Sequence, residues 1–158
     1  MTGRGRGVRL GVDVGQVRVG VARSDPDGIL ATPLVTLARD LRAAAPDATE
    51  PPVPQDVAEI ARLVVEYEAV EVVVGLPVTL AGAHGLAATQ VSAYARRLAE
   101  VVAPVPVELA DERMSTVVAS RRLSERGVRG RRQRAVVDQA AAVEILQSWL
   151  DRQRRRTG

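Results

Sequence analysis

Cysteine, lysine, asparagine and phenylalanine are absent from this 158-residue chain, and histidine occurs once, at His84. The first absence excludes disulfides, thiolate nucleophiles and zinc–thiolate sites. A single histidine leaves no room for Ser–His or multi-histidine metal chemistry, so any metal would be held by carboxylates. Aromatic residues make up only 2%. No apolar run approaches the ~18–20 residues of a membrane span. The Gly/Arg-rich start is not followed by the apolar stretch and cleavage site of a signal peptide. The expectation is a cytoplasmic protein with no membrane partner.

All 22 basic residues are arginine. The bland source is codon bias in a GC-rich genome. It has a physical corollary, because every cation is a planar fork suited to phosphate. The charge is unevenly spread: residues 1–112 carry 10 arginines against 15 acids, and residues 113–158 carry 12 against 4. A cationic third on a mildly acidic body suggests a polyanion partner, against the alternative of solvated Arg-rich helices. The length predicts one domain over 1–158 with flexible tails at 1–7 and 152–158. It is too short for the two-lobed enzymes that close around a nucleotide, which rules against a phosphotransferase reading of Asp13-x-Gly15.

Alternation of β-branched residues predicts strands at Val8–Val14 and Val17–Ser24, joined through Gly15-Gln16. Val8, Leu10, Val12 and Val14 share one face, and Arg9, Gly11 and Asp13 the other. A turn at Asp25–Gly28 leads to a third strand, Ile29–Leu37. Residues 39–55, rich in Ala, Pro and Asp, read as a flexible loop. Helices are predicted at Asp56–Glu68, Leu86–Val102, Ser115–Arg126 and Arg132–Arg155, with strands at Val70–Gly75 and Val105–Ala110. Three antiparallel strands followed by two right-handed crossovers give an α/β fold: a mixed five-stranded sheet of order 3-2-1-4-5 with helices on both faces.

Three acidic positions stand out. Asp13 ends a central strand among small neighbours, where a half-buried acid needs a partner. Asp111-Glu112 directly follows the fifth strand, where ligands gather beyond parallel strand ends. Asp138 lies on the inward stripe with Ala141, Ala142, Ile145 and Trp149, so either an arginine pairs with it, Arg134 being one turn away, or a cation does. Each has a bland alternative: a turn-forming Asp, a solvated acidic pair at a helix start, and an ordinary ion pair. Together, acids from a strand, a strand-end loop and a helix can meet at one site. Carboxylate oxygens suit Mg²⁺ or Mn²⁺, and paired hard cations cleave phosphodiesters.

The motifs resemble the YqgF (RuvX) family. The resemblance rests on Gly11-Val12-Asp13-Val14-Gly15 with Arg18 and Gly20; Asp25, Gly28 and Ala31-Thr32-Pro33-Leu34; and Val74-Gly75-Leu76-Pro77 with Gly82 and Gly85. It continues through Asp111-Glu112-Arg113-Met114-Ser115-Thr116, then Asp138, Ala141-Ala142 and Ile145–Ser148. It runs from about Val8 to Asp151. It implies an RNase H-like fold and a two-metal-ion nuclease that matures the 5′ end of pre-16S rRNA, in a family earlier named for Holliday-junction resolution. By position, Asp13, Glu112 and Asp138 would be the catalytic, metal-binding carboxylates and Asp111 an auxiliary acid. Arg18, Arg113, Ser115 and Thr116 would orient these acids or touch phosphate. Departures fall at Gln16-Val17, Thr79, His84, Gln139 and the long 40–55 insertion, and none removes a carboxylate.

Residues 121–134 hold seven arginines and one acid, Glu125. Arg129, Arg131, Arg132 and Arg134 are the predicted nucleic-acid contacts, to backbone rather than base edges. Structured RNA is favoured over branched DNA. The competing readings are a junction resolvase, which needs two active sites and hence a homodimer, and a non-catalytic nucleic-acid-binding assembly factor.

Overall fold

The alternating residues of the first hairpin form β1 (Arg9–Val14) and β2 (Arg18–Ser24), antiparallel, with Asp13 opposite Gly20. The computed structural model describes residues 5–42, 52–78, 85–115 and 131–157, with side chains from 137 to 156 in the last segment. β3 (Ala31–Ala38) completes the meander. It begins later than its sequence suggests, because Asp25 Oδ1 accepts from the amides of Ile29 (2.8 Å) and Leu30 (2.7 Å). Those amides are thus taken by a turn rather than by a strand ladder. Pro33 lies on this edge strand, at a bulge in the β2–β3 register, where a missing N–H is tolerated.

After β3 come α1 (Gln55–Glu66), β4 (Glu71–Leu76), α2 (Leu86–Val102), β5 (Val107–Asp111) and a 3-10 turn at Glu112–Met114. The last element is α3 (Arg131–Thr157). β4 pairs parallel to β1, and β5 parallel to β4, so the order is β3-β2-β1-β4-β5 as expected. β5 starts two residues late, since the Val105 amide closes the end of α2 on Val102 O (3.0 Å). Of the predicted Ser115–Arg126 helix, only Ser115 is among the described residues. It has extended backbone that ends the 3-10 turn. Residues 43–51 of the expected loop, and Thr116, Gly82 and His84, lie outside the described residues.

The described parts of the expected tails are bound to the domain. Gly7 N donates to Pro26 O (2.8 Å), and Arg9 Nη2 to Gly5 O (2.8 Å). Residues 152–157 continue α3, and Arg154 Nη1 donates to the carbonyls of Gly28 (2.9 Å) and Ile29 (3.0 Å). The basic residues closing this helix suit its negative dipole end. No helix among the described residues is long and apolar enough to cross a membrane.

Two cores flank the sheet. Leu10, Val12, Val19, Val21, Val72 and Val74 pack against α1 and α2. The opposite face is small, with Ala22, Val73 and Ala110 meeting Ala141, Ala142, Ile145, Leu146, Trp149 and Leu150 of α3. There a Cβ on Gly11 would stand 2.6 Å from Leu146 Cβ, and one on Gly20 would stand 2.1 Å from Asp138 O. Glycine at these two positions is what lets α3 lie directly on β1 and β2.

Candidate active site

The three predicted carboxylates are placed by this small face. In an antiparallel pair, opposed residues point to the same side. Asp13 therefore shares a side with Gly20, onto which the Asp138 backbone is packed. Asp13 is buried, at 6% exposure. Glu112 arrives from the other end of the row. Ala110 pairs with Gly75, whose missing side chain is filled by Ile145 of α3. Glu112 follows two residues later, at 7% exposure. The register levels the strand ends: Val12 aligns with Val74, and Leu76 with Asp111. With one strand between them, β1 and β5 lie about 10 Å apart. Asp13 and Asp138 thus lie on the α3 side at the carboxyl edge of the parallel strands, and Glu112 opens the turn that follows β5 at the same edge. This is the edge where α/β sheets bind ligands.

Asp138 is held by a partner distant in sequence. Arg18 Nε donates to its Oδ2 at 2.6 Å, with the two side chains 31% and 24% exposed. Arg18 lies two residues before Gly20 on β2, on the same face by alternation. Arg134, the local partner suggested by spacing, has its side chain outside the described set. Among the described residues, no three acidic or imidazole side chains are gathered closely enough to hold a metal ion. The donor set does suit a hard divalent cation: it is all oxygen, two of its three acids are buried, and the chain has no sulfur ligand of the cysteine type.

The 3-10 turn that carries Glu112 is fastened at both ends. Asp111 Oδ1 caps it by accepting from the Arg113 amide (2.9 Å), and the Arg113 Nη2 donates to Asp111 Oδ2 (2.7 Å). The Arg113 side chain, more than any other neighbour, holds the Asp111 carboxyl below the usual carboxylate range. Ser115 Oγ donates to Glu112 O at 2.8 Å, and Arg152 of α3 donates to Met114 O at 3.1 Å. Asp111, Arg113 and Ser115 therefore position the backbone that presents Glu112. Thr116 and Arg129 lie outside the described residues. Arg131, Arg132 and Arg134 belong to α3, in the turns preceding Asp138, and only their backbone is described. Those turns extend about 10 Å along the helix from Asp138.

Sequence reasoning missed one group. Arg39, read as the start of a loop, reaches from the far side of the hairpin: its amide donates to Val17 O (2.8 Å) and its Nη1 to Gly15 O (2.7 Å). These carbonyls belong to the turn between Asp13 and Arg18. Arg39 Nε lies 3.6 Å from Asp56 Oδ2, and Asp56 also accepts from the Tyr94 hydroxyl at 2.9 Å. Burial and, after it, the Asp56 charge raise the Tyr94 hydroxyl above its ordinary range. Asp56 has the sequence signature of a first-turn helix acid, so no local signal marks it as a buried brace.

Comparison with known proteins bears on the family and the fold. A family model described as "RuvX: Holliday junction resolvase" matches residues 7–152. A Rhodococcus erythropolis protein named "Putative pre-16S rRNA nuclease" is 56% identical over 151 residues, spanning 96% of this chain and 81% of that one. A Mycobacterium ulcerans protein of the same name is 55% identical over 156 residues, spanning 99% and 85%. Among solved structures, T. thermophilus RuvC in complex with Holliday junction substrate superposes with a TM-score of 0.52. It has 16% identity, covering 92% of this chain and 95% of that one, a likeness of fold alone. The fold is RNase H-like, as the motifs implied.

Proposed function

The chain belongs to the RuvX family, and we propose that it is a divalent-cation-dependent nuclease that hydrolyses phosphodiester bonds in maturing the 5′ end of pre-16S rRNA. The observation that carries this reading is the pair of buried carboxylates, Asp13 and Glu112, at one sheet edge, with the Asp138 backbone packed on Gly20 of β2, the residue opposite Asp13. The names borne by the 55–56% identical relatives support pre-16S rRNA as the substrate.

In this reading Asp13, Glu112 and Asp138 would hold Mg²⁺ or Mn²⁺. A pair of such ions supplies an activated water and stabilises the leaving oxygen. The protein's own part is positional. Asp111, Arg113 and Ser115 fix Glu112, and Thr116 would orient these acids or touch phosphate. Arg129, Arg131, Arg132 and Arg134 would bind phosphates on the approach to Asp138. With three aromatic residues in the chain, Tyr67, Tyr94 and Trp149, stacking on bases is a minor contribution. RNA shape then matters more than sequence.

One experiment compares substrates directly: purified protein with Mn²⁺ or Mg²⁺, offered a precursor rRNA 5′ segment, unstructured RNA and a four-way DNA junction. Cleavage of the precursor, lost in Asp13→Asn with unchanged circular dichroism, is expected. Cleavage of the junction alone, by a dimer, would turn the reading to a resolvase. Binding without cleavage of any substrate would make the chain an assembly factor. In the same series, replacing Arg129, Arg131 and Arg132 with Ala should weaken RNA binding and lower the log–log salt slope by roughly 0.7–0.9 per lost phosphate contact. Unchanged affinity and slope would place the substrate path elsewhere.

A further inference from the structure

We propose that Arg18 is a resident counter-cation of the site: its guanidinium occupies Asp138 in the resting protein, a divalent cation must displace it, and the released side chain then takes a substrate phosphate. This rests on the reading of Asp13, Glu112 and Asp138 as the metal-binding set, and adds a role for a residue that is not one of its ligands.

Three observations lead to it. The Arg18–Asp138 contact is short, 2.6 Å from Nε to Oδ2, and joins residues 120 apart in sequence. It therefore exists only in the folded protein, where it bridges β2 to α3 at the site. Next, the Arg18 backbone is fixed. Its carbonyl accepts from Gly15 N at 2.8 Å, and Arg39 grips the same turn through Gly15 O at 2.7 Å. Release of Asp138 thus requires only side-chain rotation by Arg18, not movement of the strand. Finally, Asp138 is not gathered with two other acids among the described residues. Its backbone is nevertheless seated on Gly20, directly across from Asp13. The acid has the right place on the fold, and its side chain is engaged by a cation that the chain itself supplies.

The chemistry suits a handover. A guanidinium offers five N–H donors in a fork that fits carboxylate and phosphate alike. At about a quarter to a third exposure, the pair is open enough to exchange partners. A competing internal cation lowers apparent metal affinity by the fraction of protein in which Asp138 is free. If the pair is formed about nine-tenths of the time, that factor is about ten. The site would then fill most readily when metal and nucleic acid arrive together, since each satisfies one of the separated partners. Coupling of this kind is reciprocal.

The test measures Mn²⁺ binding by calorimetry on the full chain without nucleic acid, for the wild type, Arg18→Met, Asp138→Asn, the double variant and Asp13→Asn. Circular dichroism of each checks folding. Arg18→Met should bind Mn²⁺ about tenfold tighter than wild type, and Asp138→Asn more weakly. The gain from Arg18→Met should vanish in the Asp138→Asn background. A mere loss of positive charge near the site would tighten binding in both backgrounds, so a persistent gain overturns the proposal. So does unchanged or weaker binding in Arg18→Met while the wild type binds and Asp13→Asn does not. If neither the wild type nor any variant binds Mn²⁺, the metal reading itself fails, and the handover with it. As a second readout, metal-free RNA binding by wild type and Arg18→Met should differ little, because Arg18 is then engaged by Asp138. With Ca²⁺ present in place of Mn²⁺, Arg18→Met should bind RNA more weakly than wild type, with a salt slope lower by roughly 0.7–0.9. Equal RNA affinity in Ca²⁺ would refute the phosphate half of the handover.

Discussion

Adding one methyl group at Gly20 tests whether the site depends on close approach of α3 to β2. A Cβ there would stand 2.1 Å from Asp138 O, 2.5 Å from its carbonyl carbon and 3.1 Å from Gln139 N. Carbon–oxygen contacts settle near 3.5 Å, so the helix backbone must retreat by about 1 Å or more. Overpacking of this kind costs roughly 1–3 kcal/mol, and backbone yields less readily than a side chain. Against it, Gly→Ala restricts the unfolded chain and stabilises by about 0.4–1 kcal/mol. The middle of the two ranges leaves a net loss for Gly20→Ala of about 1–2 kcal/mol. For a domain of this size, that lowers Tm by roughly 2–8 °C. Activity should fall further than stability, because a ~1 Å misplacement near the chemistry can cost about 10²-fold. Thermal unfolding by circular dichroism, and nuclease rates well below the midpoint, read the two effects separately. Gly75→Ala meets Ile145 Cδ1 at 2.5 Å, the far end of a side chain that can rotate, and should cost less. Gly5→Ala meets nothing within 4 Å and serves as the neutral control. A Gly20→Ala protein with unchanged Tm and rate would show that α3 is not seated on β2 at Asp138.

Asp56→Ala removes the acceptor of the Tyr94 hydroxyl and the buried carboxylate that forms an ion pair with Arg39, and should cost about 3–5 kcal/mol in urea unfolding, the scale of a broken buried ion pair. It should also bring the Tyr94 hydroxyl down toward its ordinary pKa in an alkaline absorbance titration; a phenol that titrates as in wild type would remove Asp56 from that environment. Asp111, held low chiefly by the Arg113 side chain, contributes stability that is present above its unfolded pKa of about 3.9 and lost as pH falls through its lower folded value. Arg113→Met should raise the Asp111 pKa in carboxyl NMR and move the acid loss of the Glu112 turn to higher pH, whereas an unmoved pKa would assign the depression to the backbone cap alone.

The sheet was legible because its signals are local and repeated. Alternation over Val8–Ser24 fixes two strands and their faces, and the right-handed crossover rule then leaves one order for the rest. The α2 limits, Leu86 to Val102, coincide with the predicted helix because Gly85 and Pro104 punctuate it. Strand starts were misplaced where a side chain or helix end takes backbone amides out of the ladder, as Asp25 does at Ile29 and Leu30. At the site, Asp13, Glu112 and Asp138 could be singled out from strand ends and an inward helical stripe. The partner of Asp138 could not, because helical spacing suggests only neighbours such as Arg134, whereas Arg18 is 120 residues away. Arg39 was hidden for the same reason: nothing around residue 39 marks a contact that depends on how α1 and α2 pack beneath the hairpin.

The two faces of β1 and β2 divide the labour of fold and site. Leu10, Val12, Val19 and Val21 are fully buried against α1 and α2 and carry the larger core. If the other face were equally bulky, it would bury more apolar area but hold α3 at the usual side-chain distance. Gly11, Gly20 and Ala22 give up that area and bring the α3 backbone onto the sheet. Only then can an acid on a helix stand across from an acid on a strand, while an arginine from the same strand pair reaches it. The loss of packing beneath α3 is offset farther along the helix, where Ile145, Leu146, Trp149 and Leu150 are buried. Gln147 also links the chain there, accepting from the Ala31 amide and donating to the Ile29 carbonyl, both at 2.8 Å. The anchored half of α3 therefore carries the stability. The N-terminal half is left to hold Asp138 against Gly20 of β2.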